Sequence, residues 1–509
     1  MASPDELRAL LAAPDPVSPD RLRAIALEAL QAGLFEAIVT RMASEVAGPL
    51  ATDAGAWQIL GLAQRALLDS AEAHESFRRA AVLAPSDPLI AHSLARTALE
   101  AGMPAIGLFD AAHSLAPTDA GILLGRAGAQ LAAGHGEVAR SGLAAILAAN
   151  PGWNEGHAAY ARMTAFAAPG ESLWAPLHKA MIAYPGDWNL RAQAIRIALD
   201  ARDYEAARRL ASEARTFFPP SPELDRAEAI CLGETGRAQA AQALFDRLPP
   251  ARTATALVAP VRNLIRLGRY DQAIKLAETR FDPVQDRVLW PYQALLWRLL
   301  NDQRWQWLEG DERLVGVYDL GVEASGLSAL AKVLRKLHAT SGTQLDQSVR
   351  GGTQTDGNLF ARAEPELRRL RAAVLDAVAD HVKRLPPAIP GHPTLLTPRE
   401  PQRIAGAWSV RLTGRGFHVD HIHLEGWYSS AFYVTLPAGQ NGIGGVEDGA
   451  AGWLALGENR ELIPDLAGFR LIEPKPGRLV LFPSLMWHGT RPFGGGERIA
   501  VAFDIADPG

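Results

Sequence analysis

The sequence is poor in cysteine, poor in lysine and free of long apolar runs. A single cysteine, Cys231, in 509 residues makes an internal disulfide framework impossible and suits a reducing compartment. No stretch reaches the roughly 18 apolar residues that a membrane-spanning helix needs. The start, Met1-Ala-Ser-Pro-Asp-Glu6, is acidic and lacks the basic-then-apolar order of a secretory signal, so a cytoplasmic location is expected and a membrane is not an expected partner. The 51 basic residues, only six of them lysine, are outnumbered by 56 acidic ones, for a net charge of −5. That balance carries no basic footprint for nucleic acid. With 48% hydrophobic and 21% charged residues, the chain is ordinary folded protein, long enough for about three domains.

Composition changes along the chain. Up to about residue 308 it is rich in alanine and leucine, which favours helices. Prolines recur at Pro85, Pro117, Pro151, Pro185 and Pro219, spaced by 32, 34, 34 and 34 residues. The best unit carries Trp57, Leu60-Gly61, Ala73, Phe77, Ala80 and Pro85. This segment closely resembles a tetratricopeptide repeat, a helix-turn-helix of 34 residues. The small residues let two helices approach, the large ones fill the groove, and proline ends the second helix. About seven helical pairs are expected between residues 20 and 308. One repeat cannot bury its own apolar face, so the pairs stack into a superhelix over residues 1–308. Cys231 falls in a repeat helix and reads as a small core residue.

Residues 309–400 form a connecting region expected to pack on the C-terminal part of the chain. Asp346 to Thr355 is polar and broken by glycine, which reads as a loop. An amphipathic helix is expected from about Glu364 to Arg384, followed by a stretch to Pro401 too rich in proline for regular structure. Beyond residue 400 come short β-rich stretches: Trp408 to Leu412, Ser430 to Val434 and Arg478 to Phe482.

Of 13 histidines, eight stand singly before residue 390. His418, His421 and His423 fall within six residues, and His488 follows Phe482-Pro-Ser484. Ligands at i and i+2 on a strand share one face. A third ligand from a distant strand closes one face of an octahedron and leaves the other open, the logic of non-haem Fe(II) sites, usually two histidines and a carboxylate. Arg498, ten residues past His488 on a strand-like run, offers a planar fork for a carboxylate. Two near pairs are open: His421 with His423, or His418 with Asp420 in the common H-x-D spacing, each completed by His488. On a regular strand the two pairs face opposite ways.

Residues from about 405 to 505 resemble the double-stranded β-helix of 2-oxoglutarate/Fe(II)-dependent oxygenases. His421-Ile-His423, Gly426-Trp427, Ser429 to Val434, Phe482-Pro-Ser484, His488 and Arg498-Ile499 are similar to a bacterial and phage group of such enzymes. The segment Gln347 to Thr355 resembles the entry segment of members that also carry tetratricopeptide repeats. Leu424 stands where that group has proline, Ala431 where it has glycine, and Ala500 where many oxygenases place a serine beside the arginine. The resemblance implies an α-helical repeat array followed by a jelly roll at 401–509. It implies His421, His423 and His488 as metal ligands and Arg498 on the distal carboxylate of 2-oxoglutarate; Tyr433, on the strand after the ligands, points either inward as a further co-substrate residue or outward to the core. Fe(II), 2-oxoglutarate and ascorbate are the implied cofactors. Trp427, Trp453 and Trp487 are expected as packing or as a pocket frame. Gly494-Gly-Gly496 lacks the following helix that a phosphate loop requires.

The implied activity is hydroxylation of a protein or peptide presented by the repeat groove, with 2-oxoglutarate decarboxylated to succinate. Prolyl 4-hydroxylases and aspartyl/asparaginyl hydroxylase offer an analogy of architecture. A small-molecule oxygenase whose repeats serve assembly, and a non-catalytic scaffold with a relic barrel, are the competing readings.

Overall fold

The computed structural model describes residues 2–13, 17–339, 349–437 and 450–508. They fold as two compact units: residues 1–143 with 357–369, and residues 144–356 with 370–509. Among the described residues, no helix is long and apolar enough to cross a membrane.

Apart from the single-turn helix Pro283–Asp286, eighteen helices follow one another from Pro19–Gln31 to Arg304–Glu309. That makes nine successive pairs against the seven or so expected; the last of them, from Trp290 to Glu309, is marked by tryptophan and not by the small/large pattern. Many first helices start on an aspartate whose carboxylate accepts from the first-turn amides, as at Asp53, Asp87, Asp119 and Asp187. Each of the five spaced prolines lies just beyond a second helix, as Pro85 does after Ser70–Leu83.

In the first unit the glycines of the repeats have a steric cause. A Cβ at Gly61 would sit 2.9 Å from the Phe77 ring, and one at Gly125 would sit 2.3 Å from Phe109. Phe77 and Phe109 are fully buried. The segment 357–369 belongs to this unit: Ala363 N–H donates to Ala101 O at 3.1 Å, and Arg368 pairs with Glu72 at 2.6 Å.

The second unit joins further helix pairs to two antiparallel sheets. The strands are β1 (Gly316–Asp319), β2 (Val349–Gln354), β3 (Ile404–His418), β4 (Gly426–Thr435), β5 (Leu454–Leu456), β6 (Arg470–Ile472), β7 (Arg478–Pro483), β8 (His488–Thr490) and β9 (Glu497–Ala506). One sheet runs β1-β7-β4-β9-β3-β2 and the other β6-β5-β8. Between them lies a core of Tyr433, Val480 and Phe482 from the first sheet and Leu454, Leu456 and Ile472 from the second. This is a double-stranded β-helix.

Two elements differ from the sequence reading. Val349–Gln354, read as part of a loop, is an edge strand paired with β3; Asp346, Gln347 and Ser348 of that expected loop lie outside the described residues. Its glycines mark a bulge rather than a break. A Cβ at Gly352 would meet Arg411 O at 2.4 Å, and Gly351 has a φ of +69°. The strand β1 was not expected at all. The helix Pro365–Arg384 and the irregular chain after it are as expected.

The helix Ala324–His338 is pinned to the sheet by its last residue. Ser409 Oγ donates to Ala500 O (3.1 Å), so it accepts from His338 Nε2 (3.0 Å). The other ring nitrogen then accepts from Thr353 Oγ1 (2.9 Å). Burial, with the nearby Arg411 charge, pushes the His338 pKa down to about 4, and burial does the same for His381. Both must stay neutral in the fold. Their contribution is therefore complete above the unfolded value of about 6.5 and is lost as pH falls toward 4. For His338 this is on the order of 3 kcal/mol. Chemical unfolding measured from pH 8 to pH 4 should show a decline that begins near pH 6.5. His338→Gln, which keeps a donor and an acceptor but cannot charge, should make that decline shallower.

Candidate metal centre

β3 ends at His418, and the chain leaves regular strand geometry before β4 begins. The intervening segment runs beside residues 484–488. His421 N–H donates to His488 O (2.9 Å), His488 N–H returns the bond (3.0 Å), and His423 N–H donates to Ser484 O (2.9 Å). This backbone pairing places His421 and His423 against His488. One nitrogen from each of the three rings lies within 4.8 Å of the others, close enough for one ion to bridge them.

The rings are aimed by their other nitrogens. Nδ1 of His421 donates to Val419 O (2.8 Å) and Nδ1 of His488 to Met486 O (2.9 Å). Nδ1 of His423 lies 2.8 Å from Asp504 Oδ1, which also accepts from Ser429 Oγ at 2.7 Å. Each arrangement puts the proton on Nδ1 and the lone pair on Nε2, the tautomer a metal requires. Burial, reinforced by neighbouring imidazoles, holds His421 and His488 well below the usual histidine pKa, so both are neutral and ready to ligate near pH 7.

Asp420 does not join them. Its carboxylate accepts from Arg460 N (2.8 Å), Nε (2.9 Å) and Nη2 (2.7 Å). His418 lines the same cavity as the three histidines. The expected opposition between the pairs applies only to a regular strand, and β3 has already ended.

Arg498 is 4% exposed. Its guanidinium donates to Gly452 O and lies 5.0 Å from the centroid of the Tyr433 ring. Among the described residues it has no carboxylate partner. Burial pushes its pKa below the ordinary arginine value, yet arginine stays charged in proteins. A buried cation without a counter-charge is costly, and an anionic ligand would offset that cost. Tyr433 is wholly buried in the core between the sheets beside Arg498.

The three histidines, His418 and Arg498 line one cavity of about 440 Å³. Ala500 and Ala502 follow Arg498 on the same face of β9 and, with Ala431, keep the space open. Apolar cover comes from Leu454 and Phe482. On another side the wall is helical: Arg202, Arg262 and Tyr292 line the same cavity. Of the three expected tryptophans only Trp487 lines it, joined by Trp408. Trp427 is buried and donates to Thr394 O at 2.8 Å.

A family model described as "Putative 2OG-Fe(II) oxygenase" matches residues 406–504, and a tetratricopeptide-repeat model matches residues 104–163. The chain is a repeat protein with a C-terminal 2-oxoglutarate/Fe(II)-dependent oxygenase domain. The oxygenase uses Fe(II) and 2-oxoglutarate. No curated protein matches it. Solved structures similar to parts of it include a prolyl-4-hydroxylase of Pseudomonas putida, at 17% identity over 42% of this chain and 98% of that one, with a TM-score of 0.27. HygX from Streptomyces hygroscopicus, with nickel and 2-oxoglutarate bound, is similar at 14% identity over 38% of this chain and 82% of its own (TM-score 0.27). A tetratricopeptide repeat protein from Parabacteroides merdae is similar at 17% identity over 52% and 98% (TM-score 0.28).

Sequence reasoning missed Asp504, Ser429 and the helical wall of this oxygenase site. A signal for Asp504 existed. It lies six residues past Arg498 on the same strand, and an even spacing puts both on one face.

Two substitutions separate the near pairs. His421→Ala should remove the bound iron, measured as metal per chain after loading and desalting. Asp420→Ala should keep it but lower stability by about 1–3 kcal/mol, because Arg460 loses its three bonds to that carboxylate and keeps, of carboxylates, only the 3.6 Å contact with Glu458. Iron lost from Asp420→Ala and retained in His421→Ala would reverse the assignment.

Proposed function

We propose that the protein hydroxylates a side chain of a polypeptide held over the cavity by the repeat helices of the second unit. His421, His423 and His488 hold the iron, and Arg498 anchors 2-oxoglutarate. What carries this reading is the make-up of one cavity: three imidazoles and a buried arginine on the barrel side, Arg202, Arg262 and Tyr292 on the helical side. A substrate in this cavity therefore meets residues of the repeat helices as well as of the barrel.

When bound, iron and 2-oxoglutarate supply the oxidising chemistry, in which one oxygen atom of O₂ goes to succinate, the other to the substrate, and carbon dioxide is lost. The chain's residues prepare for it. Asp504 and two backbone carbonyls fix the ring orientations. Arg498 pairs with a co-substrate carboxylate, and Phe482 and Leu454 keep water from that pair, which strengthens it. Trp408, half-buried in the cavity wall, offers flat apolar surface to a substrate chain near the rings.

Arg202 is exposed and pairs with Glu461 at 3.3 Å across the mouth. It takes no part in the ring-orienting bonds, so it tests the role of the repeats without removing one of them. Captured partners should be identified with full-length His488→Ala and a +16 mass change sought in the same peptides after wild-type treatment. With such a peptide, Arg202→Glu should raise KM several-fold and leave the slow substrate-free release of succinate unchanged. A peptide KM unaffected by Arg202→Glu, with only small molecules hydroxylated, would favour a small-molecule oxygenase.

The co-substrate assignment is tested by Arg498→Gln. Loss of a charge-assisted bond of about 1.5–3 kcal/mol weakens binding roughly tenfold to more than hundredfold. The 2-oxoglutarate affinity, titrated without oxygen, should fall by that factor while iron content is unchanged.

A further inference from the structure

His418 is a fourth histidine in the cavity, and the metal reading leaves it without a task. Its Nε2 is buried and has no hydrogen-bond partner. Unsatisfied buried ring nitrogens are uncommon and costly unless a ligand or water meets them. Its ring centroid lies 6.1 Å from that of His421, and it is absent from the group of three whose nitrogens converge. A neutral imidazole at this place has one N–H to give.

The other side of Arg498 is bare. Ala500, two residues on along β9 and on the same face, lines the cavity with a methyl group. Many oxygenases have a serine hydroxyl there. A carboxylate set against Arg498 in this chain therefore lacks a donor from position 500. It has His418 within the same cavity instead.

We infer that His418 is a co-substrate residue: its Nε2–H donates to the carboxylate that pairs with Arg498, in place of the hydroxyl that Ala500 lacks. This rests on the proposed role of Arg498. His418 then needs its proton on Nε2, the opposite tautomer to the three metal-facing rings, so it is matched to an anion and not to a cation. It contributes binding and orientation of 2-oxoglutarate and takes no part in holding iron.

The test is an anaerobic calorimetric titration of 2-oxoglutarate into full-length protein loaded with Mn(II), with metal content and thermal melting measured on the same samples. His418→Ala should weaken 2-oxoglutarate about tenfold, the loss of one such bond at 1.4 kcal/mol per decade, with metal content unchanged. His418→Gln, which keeps an N–H, should lose less. Ala500→Ser added to His418→Ala should restore most of the affinity, because it returns a donor to the same carboxylate. Unchanged affinity in His418→Ala, alongside a large loss in Arg498→Gln, would overturn this inference and leave the Arg498 assignment standing. Unchanged affinity in both would remove the Arg498 reading itself. Loss of metal from folded His418→Ala and His418→Gln would make His418 a metal ligand and overturn the inference by that route. Failure of Ala500→Ser to restore any affinity would also count against it, by placing His418 away from the carboxylate.

Discussion

Everything at the centre depends on where three protons sit. A histidine ring can present either nitrogen to a metal, and only a fixed hydrogen bond on the other side decides which. Here Val419 O, Met486 O and Asp504 Oδ1 each take the Nδ1 proton. Two of these acceptors are backbone carbonyls within two residues of the ring they hold. The local path of the chain therefore orients His421 and His488 almost by itself. Only His423 needs help from a distant strand, through Asp504 and Ser429. A site faced by three imidazoles would leave a bound metal its full charge, unlike one that includes a carboxylate. The carboxylate that touches one of these rings, Asp504, bonds the Nδ1 side of His423 and not the side that faces the other two.

The helices and the barrel of the second unit share one core. Leu462, Ile463 and Trp487 of the barrel pack among Val261, Leu264, Leu295 and Trp297 of the helices. Polar ties reinforce this: Arg287 donates to Gly426 O at 2.8 Å and pairs with Asp507 at 2.7 Å. The helices that line the cavity are thus fixed to the sheet that carries the ligands, which is what a wall of a binding site requires.

Much of this was legible in the sequence because it is local or periodic. The proline spacing reports helix pairs because proline cannot continue a helix. The i, i+2 histidines cluster because their neighbours pair with residues 484–488. The strands around Trp408, Ser430 and Arg478 are apolar and branched, and they are found where expected. What was not legible depends on partners far along the chain. The glycines at 351 and 352 read as a break because nothing local tells that Arg411 and Gly416 press against them. The opposition between His418 and His421 was argued from a regular strand, and the chain departs from one just after His418. No pattern in sequence announces that Arg202, Arg262 and Tyr292 meet at one cavity mouth, since that arises from how successive repeats stack.

The indole of Trp487 gives its N–H to Pro291 O at 3.0 Å and sets its ring edge-on to Tyr292 at 5.6 Å. Its immediate neighbour in the chain is His488. Repeat proteins ordinarily diversify by adding, losing or exchanging whole units, since each touches only its neighbours. The unit that contains Trp290–Leu299 is not free to do so, because to replace it is to redraw the seat of a residue adjoining the three converging rings. Substrate range can drift through the repeats before it, whereas this last one must evolve in step with the barrel.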